Sequence, residues 1–199
     1  MKKMMFNDRY GLTQAVIHGR KTVTRRVVKD AWWPISKIEA EGMRGDIIHV
    51  IANNGKFVVE RKCPYKIGEI VAVAQRYDSF LHPNNGVIEH DYQTTALASK
   101  GWDNKMFVKA DLMPHQIQIT DLRIERLQDI SGDDCMNEGI RYSCVESILG
   151  MYGYIDCEGT GLWFNTPREA FASLIDKVSG RGTWERNPFV WRIEFELVK

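Results

Sequence analysis

The segment FVWRIEFELV, residues 189–198, alternates apolar and charged side chains over most of its length. Successive side chains of a strand point to opposite faces of a sheet. One face would therefore carry Trp191, Ile193, Phe195 and Leu197, and the other would carry Arg192, Glu194 and Glu196. This pattern predicts a strand with one face on a core, so the chain needs neighbouring strands and a layer that covers them.

Other segments also predict strands. KIGEIVAVAQ (66–75) indicates a buried strand, and KMFVKADL (105–112) is a further candidate. HQIQIT (115–120) and LRIERL (122–127) alternate in different phases, so we expect a bend or bulge at Thr120–Asp121. A separate segment, DIIHVIANNGKFVVERK, predicts a hairpin that turns at Asn53-Asn54-Gly55.

Three segments predict helices. The first covers about residues 8–18 and the second, a short one, about residues 132–138, each followed by a glycine. The third has the strongest signals, with Thr166 as N-cap, Pro167 as first helical residue and Glu169 as capping-box partner. Its apolar residues then follow at helical spacing as far as a terminating glycine.

Strands dominate this pattern, and they do not alternate regularly with helices. A doubly wound parallel sheet is therefore disfavoured. The sequence predicts an α+β, mostly β protein: a small antiparallel or mixed β-barrel with helices packed at its ends. The length of 199 residues fits one domain that carries insertions.

The composition excludes several classes of protein. The net charge is +1, so nucleic-acid contacts would have to come from a local patch. The four cysteines form no C-x-x-C pair and the five histidines are scattered, so we expect no metal and no organic cofactor. No run has the length of a membrane span or of a signal-peptide core, which favours a cytoplasmic protein with reduced cysteines.

The stretch GRKTVTRR, residues 19–26, concentrates four basic side chains and two threonines in eight residues. Charge runs are usually solvated faces. The same stretch also suits phosphate contacts, or a reactive site built from Lys21 and Thr24. The residues alone leave these three interpretations open.

The same stretch resembles the signature of the ASCH domain superfamily, a branch of the PUA-like β-barrels. The resemblance extends to YKIGEIVAV (65–73), to IQITDLRIERLQDISGDDCMNEGI (117–140) and to WERNPFVWRIEFELV (184–198), which is similar to the closing strand of longer phage and prophage members. Relative to compact members, residues near 27–63, 77–104 and 141–163 look like insertions in a single ASCH domain spanning 1–199.

This resemblance implies a chemistry. Small bacterial ASCH proteins include amidohydrolases that remove the acetyl group from N4-acetylcytidine, and their motif is similar to residues 19–26 here. This motif places the family's functional lysine on Lys21, its threonine on Thr24 and its arginine on Arg26. The family's functional glutamate lies in a short helix after a separate stretch, and setting that stretch on residues 127–131 places the glutamate on Glu138.

That chemistry makes a geometric demand. A threonine hydroxyl is inert at neutral pH unless a base lies within hydrogen-bond reach, and a lysine can be that base if its pKa falls. Burial lowers a lysine pKa, and so do cations such as Arg25 and Arg26. A regular strand would put Lys21 and Thr24 on opposite faces, so the site requires a turn or bulge at Thr22–Val23.

Two other functions remain open at this point. The barrel could hold single-stranded RNA or a modified nucleoside in the same basic cleft without chemistry, or it could be a phage accessory protein that lost the site. Substrate-binding candidates are Arg25, Arg26, Trp184 and Asn187, since an aromatic ring beside arginines can stack a base. Glu138, at the end of a short helix, could equally face solvent.

Overall fold

A computed structural model describes residues 1–28, 35–39, 47–52, 58–80, 99–155 and 161–199. Eleven strands are present in these ranges: β1 Lys2–Met4, β2 Val23–Val27, β3 Ile35–Glu39, β4 Ile47–Ala52, β5 Val58–Lys62, β6 Ile70–Val73, β7 Gln116–Arg126, β8 Arg141–Tyr142, β9 Tyr152–Ile155, β10 Gly161–Phe164 and β11 Phe189–Leu197. The α-helices in the same ranges are α1 Leu12–Ile17, α2 Gly132–Asn137, α3 Pro167–Ser179 and α4 Thr183–Arg186. The predicted α+β class is confirmed.

The main sheet has five strands in the order β1-β6-β7-β11-β2. β1 runs parallel to β6 and the other neighbours are antiparallel, so the sheet is mixed. The strands at its two edges, β1 and β2, do not pair with each other within the described ranges. The sheet is therefore open there, without the closure that the predicted barrel would have.

The two segments predicted on either side of Thr120–Asp121 form one long strand, β7. Its pairing with β11 passes from Glu194 opposite Asp121 to Phe195 opposite Ile119. Thr120 is thus an extra residue on β7, and the predicted bulge is confirmed.

The strand predicted for 105–112 is wrong, because this segment forms two short 3-10 helices, Lys105–Phe107 and Ala110–Leu112.

Two three-stranded sheets lie outside the main sheet. One has the order β3-β4-β5, and it includes the predicted hairpin, although the turn residues 53–55 lie outside the described ranges. The other has the order β10-β9-β8 and packs beside α3. Both fall mainly in segments that the sequence marked as insertions.

The helices follow their local signals closely. The capping box of α3 is formed, since Thr166 accepts from the backbone of Glu169 and Glu169 accepts from that of Thr166. The predicted first helix is divided, because Gly11 adopts a left-handed conformation with φ of 64° between a 3-10 turn at 8–10 and α1. A left-handed residue interrupts the hydrogen-bond pattern of a helix, and glycine adopts it without steric cost.

The core lies between the main sheet and the helices α1, α2 and α3. Trp191, Ile193 and Phe195 of β11 are buried in it as predicted, whereas Leu197 is exposed. Arg192, on the face expected to be polar, is also buried, and Asp134 of α2 binds its guanidinium. No helix in the described part of the chain is long and apolar enough to span a bilayer.

Candidate active site

A cavity of about 340 Å³ lies where the N-terminal segment, β2, the end of α2 and the α3–α4 region meet. Its polar walls include Asn7, Lys21, Thr24, Arg25, Arg26, Glu138, Thr183 and Arg186. Its apolar walls include Phe6, Leu12, Phe171, Leu174 and Ile175. A volume of this size falls in the range typical of small-molecule sites, and the mixture of an apolar wall with a few converging polar groups is also typical of them.

Lys21 and Glu138 form a buried ion pair in this cavity, with 2% and 6% of their side chains exposed. The Lys21 ammonium donates to Glu138 Oε2, to the Glu138 carbonyl at 2.9 Å and to the Val23 carbonyl at 2.8 Å. All three N–H donors of the ammonium therefore have acceptors. The glutamate does not face solvent, although its place at the end of a short helix allowed that outcome.

The path of the chain before β2 explains how Lys21 and Thr24 reach one cavity. β2 begins only at Val23, so Lys21 and Thr22 belong to the connection from α1 rather than to the strand. Main-chain bonds hold this connection, from Lys21 N to Ala15 O at 2.9 Å and from Thr22 N to Asn137 O at 2.9 Å. The irregular backbone that the chemistry requires is present one residue before the predicted position.

Gly139 fits closely behind the ion pair. It has a φ of 105°, and a Cβ placed there would come within 3.3 Å of Leu12 and 3.8 Å of the Lys21 Cβ. A side chain at this position would be strained and would press on the helix that carries the cavity wall. Glycine is therefore the residue best suited to position 139, in the turn that follows Glu138.

Arg25 connects the site to the rest of the fold. Its three guanidinium nitrogens contact Glu125 at 2.7 Å, Asp134 at 2.5 Å and Glu138 at 3.3 Å, and 1% of its side chain is exposed. Asp134 also accepts two bonds from Arg192, at 2.9 and 3.0 Å. Because all of its nitrogens bind carboxylates, Arg25 holds Glu138 in place and has little capacity left for a ligand.

The electrostatics of the site lower the pKa of Lys21 below that of an ordinary lysine. Burial lowers the pKa of Lys21, and Arg26 and Arg25 lower it further, against the opposing effect of Glu138. The nearby Cys135 thiol is unsuited to act as nucleophile, because burial raises its pKa to about 12. Lys21 is thus the better candidate for moving a proton in the cavity.

Thr24 and Arg26 supply further groups to the cavity wall. Among the described residues, none hydrogen-bonds the Thr24 hydroxyl, and the threonine is 5% exposed. The Arg26 guanidinium donates to the Met5 carbonyl and lies 5.6 Å from the centre of the Phe6 ring. Its Nε is buried and has no hydrogen-bond partner in the described part of the chain.

Trp184 and Asn187 lie outside the lining of the cavity. The Trp184 ring packs edge-on against Phe171, with a centroid distance of 6.2 Å, and Arg168 covers it at 5.2 Å. Asn187 Oδ1 accepts from the backbone of Gln128 at 2.8 Å, and the residue adopts a left-handed backbone with φ of 44°. The contacts of both side chains are with the protein itself, and they fasten α4 to the fold.

Sequence reasoning missed the wall formed by Thr183 and Arg186. These residues lie on α4, whose first turn is held by Asp176: its carboxylate accepts from Gly182 N at 2.9 Å and Trp184 N at 2.8 Å. The sequence pattern pointed to Trp184, an aromatic residue close to arginines, as a residue that could stack a base. The arginine two residues further on is the one that lines the cavity.

Comparison with protein-family models, with curated proteins and with solved structures gives no match for this chain. Within the described residues, no group of three or more histidine, cysteine, aspartate or glutamate side chains is arranged to hold a metal ion. The chemistry of the cavity is therefore what points to a function.

Acid should weaken the fold through Asp134. Hydrogen bonds from Arg192, and then from Arg25, lower the pKa of this carboxyl from 3.8 to about 2 against the effect of burial. A depressed carboxyl pKa adds stability above the unfolded value, and that stability is lost as pH falls through the folded value. We expect about 2 kcal/mol of unfolding free energy to disappear between pH 4 and pH 2.

Urea unfolding across this pH window measures the effect. Asp134→Asn removes the titrating group. Between pH 4 and pH 2, the unfolding free energy of this variant should therefore vary less with pH than that of the parent chain. Equal slopes for the two proteins would contradict the assignment.

Proposed function

We propose that this chain is an amidohydrolase of the PUA-like ASCH type, which removes the acyl group from an N4-acylated cytosine nucleoside or a similar small acylated base. The observation that carries the proposal is the buried Lys21–Glu138 pair on the wall of a cavity that Thr24 also lines. A charged lysine is costly to bury, and a ligand-sized cavity beside one is a typical setting for proton transfer.

The proposed reaction begins with proton transfer within the pair. Lys21 gives a proton to the Glu138 carboxylate. Its neutral amine, which is not hydrogen-bonded to Thr24 in the free protein, then turns to the threonine and accepts the hydroxyl proton as the threonine oxygen attacks the acyl carbon. The tetrahedral intermediate collapses with cleavage of the C–N bond, and Glu138 protonates the departing N4 amine. The products of this stage are the deacylated nucleoside or base, with a free N4 amine, and an acyl ester of Thr24.

A second stage returns the enzyme to its starting state. Lys21 again gives a proton to Glu138, and its amine then takes a proton from water as the water oxygen attacks the ester carbon. The C–O bond to threonine breaks, and Glu138 protonates the threonine oxygen. One water is consumed, and one carboxylic acid is released.

The remaining walls of the cavity suit this substrate. Phe6, Leu12 and Phe171 provide an apolar surface for a planar base or a short acyl group. Arg26 adds a cation to the cavity wall, and a fixed cation is worth more in such a cavity than in water. Arg25 contributes by holding Glu138, with which it is paired.

One observation favours a second candidate, a module that binds a modified nucleoside without chemistry. The three donors of the Lys21 ammonium are all satisfied by protein acceptors, which stabilises the charged form of the lysine. In that case Lys21 would remain an ammonium and the cavity would only hold its ligand. An extended RNA groove is less favoured, because Trp184 packs on protein rather than offering a stacking surface.

Incubation of the purified chain with N4-acetylcytidine and a panel of N4-acylated cytosines tests the proposal. We expect release of cytidine or cytosine, which chromatography detects. The variant Thr24→Val serves as the inactive reference. Binding of these compounds by the folded protein with no release of product would support the binding module instead.

A further inference from the structure

The cations around the cavity are not equally compensated. Lys21 is paired with Glu138, and Arg25 contacts three carboxylates. Arg26 and Arg186 line the same cavity, yet within the described residues neither has a carboxylate oxygen within ion-pair distance. Glu138 is the carboxylate on the described cavity wall, and it is already held by two cations.

Arg26 is fixed in place with donors to spare. Its side chain leaves β2 opposite Trp191, and one terminal nitrogen is held by the Met5 carbonyl. The guanidinium packs over the Phe6 ring, and its Nε is buried without a partner among the described residues. A neutral carbonyl and an aromatic ring orient this cation but leave its charge unneutralised.

Arg186 is fixed at the cavity wall by contacts within and around α4. Its Nη2 donates to Thr183 Oγ1 at 3.0 Å, and that hydroxyl itself donates to the Gly180 carbonyl at 2.6 Å. Asp176 fastens the start of the same helix through two backbone N–H groups. The arginine is therefore held at the cavity by an ordered helix, although the residue is also exposed to solvent.

We propose that Arg26 and Arg186 form an anion subsite, so that the preferred ligand of this cavity carries a phosphate or carboxylate group in addition to its acylated base. This inference rests on the proposed function for the identity of the base. A planar guanidinium presents paired donors that match the oxygens of phosphate and carboxylate. Two such groups on one cavity suit an anionic group of a ligand, because no carboxylate of the described residues pairs with either of them.

Two substrates share this chemistry. An acylated cytidine 5′-monophosphate would place its phosphate in the subsite. An N4-acylcytidine whose acyl group comes from a dicarboxylic acid would place its free carboxylate there. Both keep the amide bond beside Lys21 and Thr24, and they differ in which end of the ligand carries the charge.

Calorimetric binding distinguishes these cases without any dependence on turnover. We expect one of two results. Either cytidine 5′-monophosphate binds at least about tenfold tighter than cytidine, or N4-succinylcytidine binds at least about tenfold tighter than N4-acetylcytidine. A tenfold difference is a modest effect for a pair of opposite charges. The first result identifies a nucleotide as the ligand, and the second identifies a dicarboxylic acyl group. Equal affinities within both pairs would overturn the proposal.

The variants Arg26→Gln and Arg186→Gln should each reduce the preference for the charged ligand by about tenfold while leaving the affinity for the neutral one within a few-fold. Arg181→Gln is the matched control, since this exposed arginine is near α4 but is not on the cavity wall. An equal loss in the control would show a general effect of surface charge and would overturn the subsite. Arg186 is exposed, so its variant remains informative if Arg26→Gln fails to fold.

Failure of this inference can be told apart from failure of the proposed function. A chain that hydrolyses N4-acetylcytidine but binds charged and neutral ligands equally keeps the amidohydrolase and loses the anion subsite. A chain that binds the charged ligand tightly and hydrolyses none of the panel keeps the subsite and loses the amidohydrolase.

Discussion

Replacing Lys21 with methionine is expected to lower kcat for hydrolysis of N4-acetylcytidine by about 10²- to 10⁴-fold, the usual contribution of a positioned general base. Methionine keeps much of the volume of the lysine side chain but has no proton to exchange. The variant removes the amine that would activate Thr24, whereas the apolar wall that receives the base is unchanged. Steady-state kinetics with the purified variant provide the measurement.

The chain offers a matched control in Lys105, a second buried lysine that binds a carboxylate and a threonine. Its ammonium lies 2.8 Å from Asp8 Oδ1 and 3.3 Å from Thr13 Oγ1, but it is not on the wall of the candidate site. Lys105→Met should therefore reduce stability while keeping kcat within a few-fold of the parent value. Similar losses of kcat in the two variants would mean that Lys21 acts through the fold rather than through chemistry.

Replacing Arg25 with methionine is expected to have the largest effect on stability, a loss of about 3–5 kcal/mol in the free energy of unfolding. The change would leave Glu125, Asp134 and Glu138 without the cation that they share. This cation is buried, with 1% of the Arg25 side chain exposed. A buried charge that loses its partner is far more costly than a surface pair that does so. Urea or guanidinium unfolding at neutral pH measures the loss.

Arg123→Met is the comparison for this result. Arg123 also pairs with a carboxylate, that of Asp121, but 42% of its side chain is exposed. Solvent reaches the arginine end of this pair, whereas 13% of the Asp121 side chain is exposed. We expect a pair with one exposed partner to contribute about 0–1 kcal/mol, so the control should remain close to the parent chain. A loss for Arg25→Met as small as that of the control would show that the three carboxylates are adequately solvated in its absence.

The helices could be predicted because their signals are local. Thr166, Pro167 and Glu169 specify the start of α3 within four residues, and Ser131 does the same for α2 by accepting from Asp134 N. The predicted first helix was partly wrong, because a single left-handed glycine at position 11 ends one turn and begins another. Glycine inside a helical pattern can be tolerated or can break it, and the pattern alone does not decide which.

The segment 105–112 shows where periodicity is insufficient. Its apolar content suggested a strand, but Met106 and Phe107 are exposed and Val108 is buried. The folded segment turns twice so that Lys105 can reach Asp8 and the Phe6 carbonyl. Such contacts join residues almost a hundred positions apart, and no window of a few residues contains them.

The candidate site was predictable in part for a similar reason. Lys21, Thr24 and Arg26 stand in one short motif, and Glu138 could be placed by the resemblance of the segments around it. Arg186 could not, because its position depends on Asp176 holding the turn before α4. The neutralisation of Arg25 by three carboxylates likewise depends on how α2 packs over the sheet.

The order of strands in the main sheet has a consequence for how the cavity is assembled during folding. β2 lies at the edge of the sheet and is paired with β11, so that Thr24 stands opposite Ile193, close to the other end of the chain. Contacts over such a separation form slowly, because a large loop must close before they contribute any stability. Among the described strands, β11 is the neighbour with which β2 pairs, so the strand that carries Thr24 stays unpaired until β11 has been synthesised and has docked. The Thr24 wall of the cavity would thus be set in place only when β11 arrives.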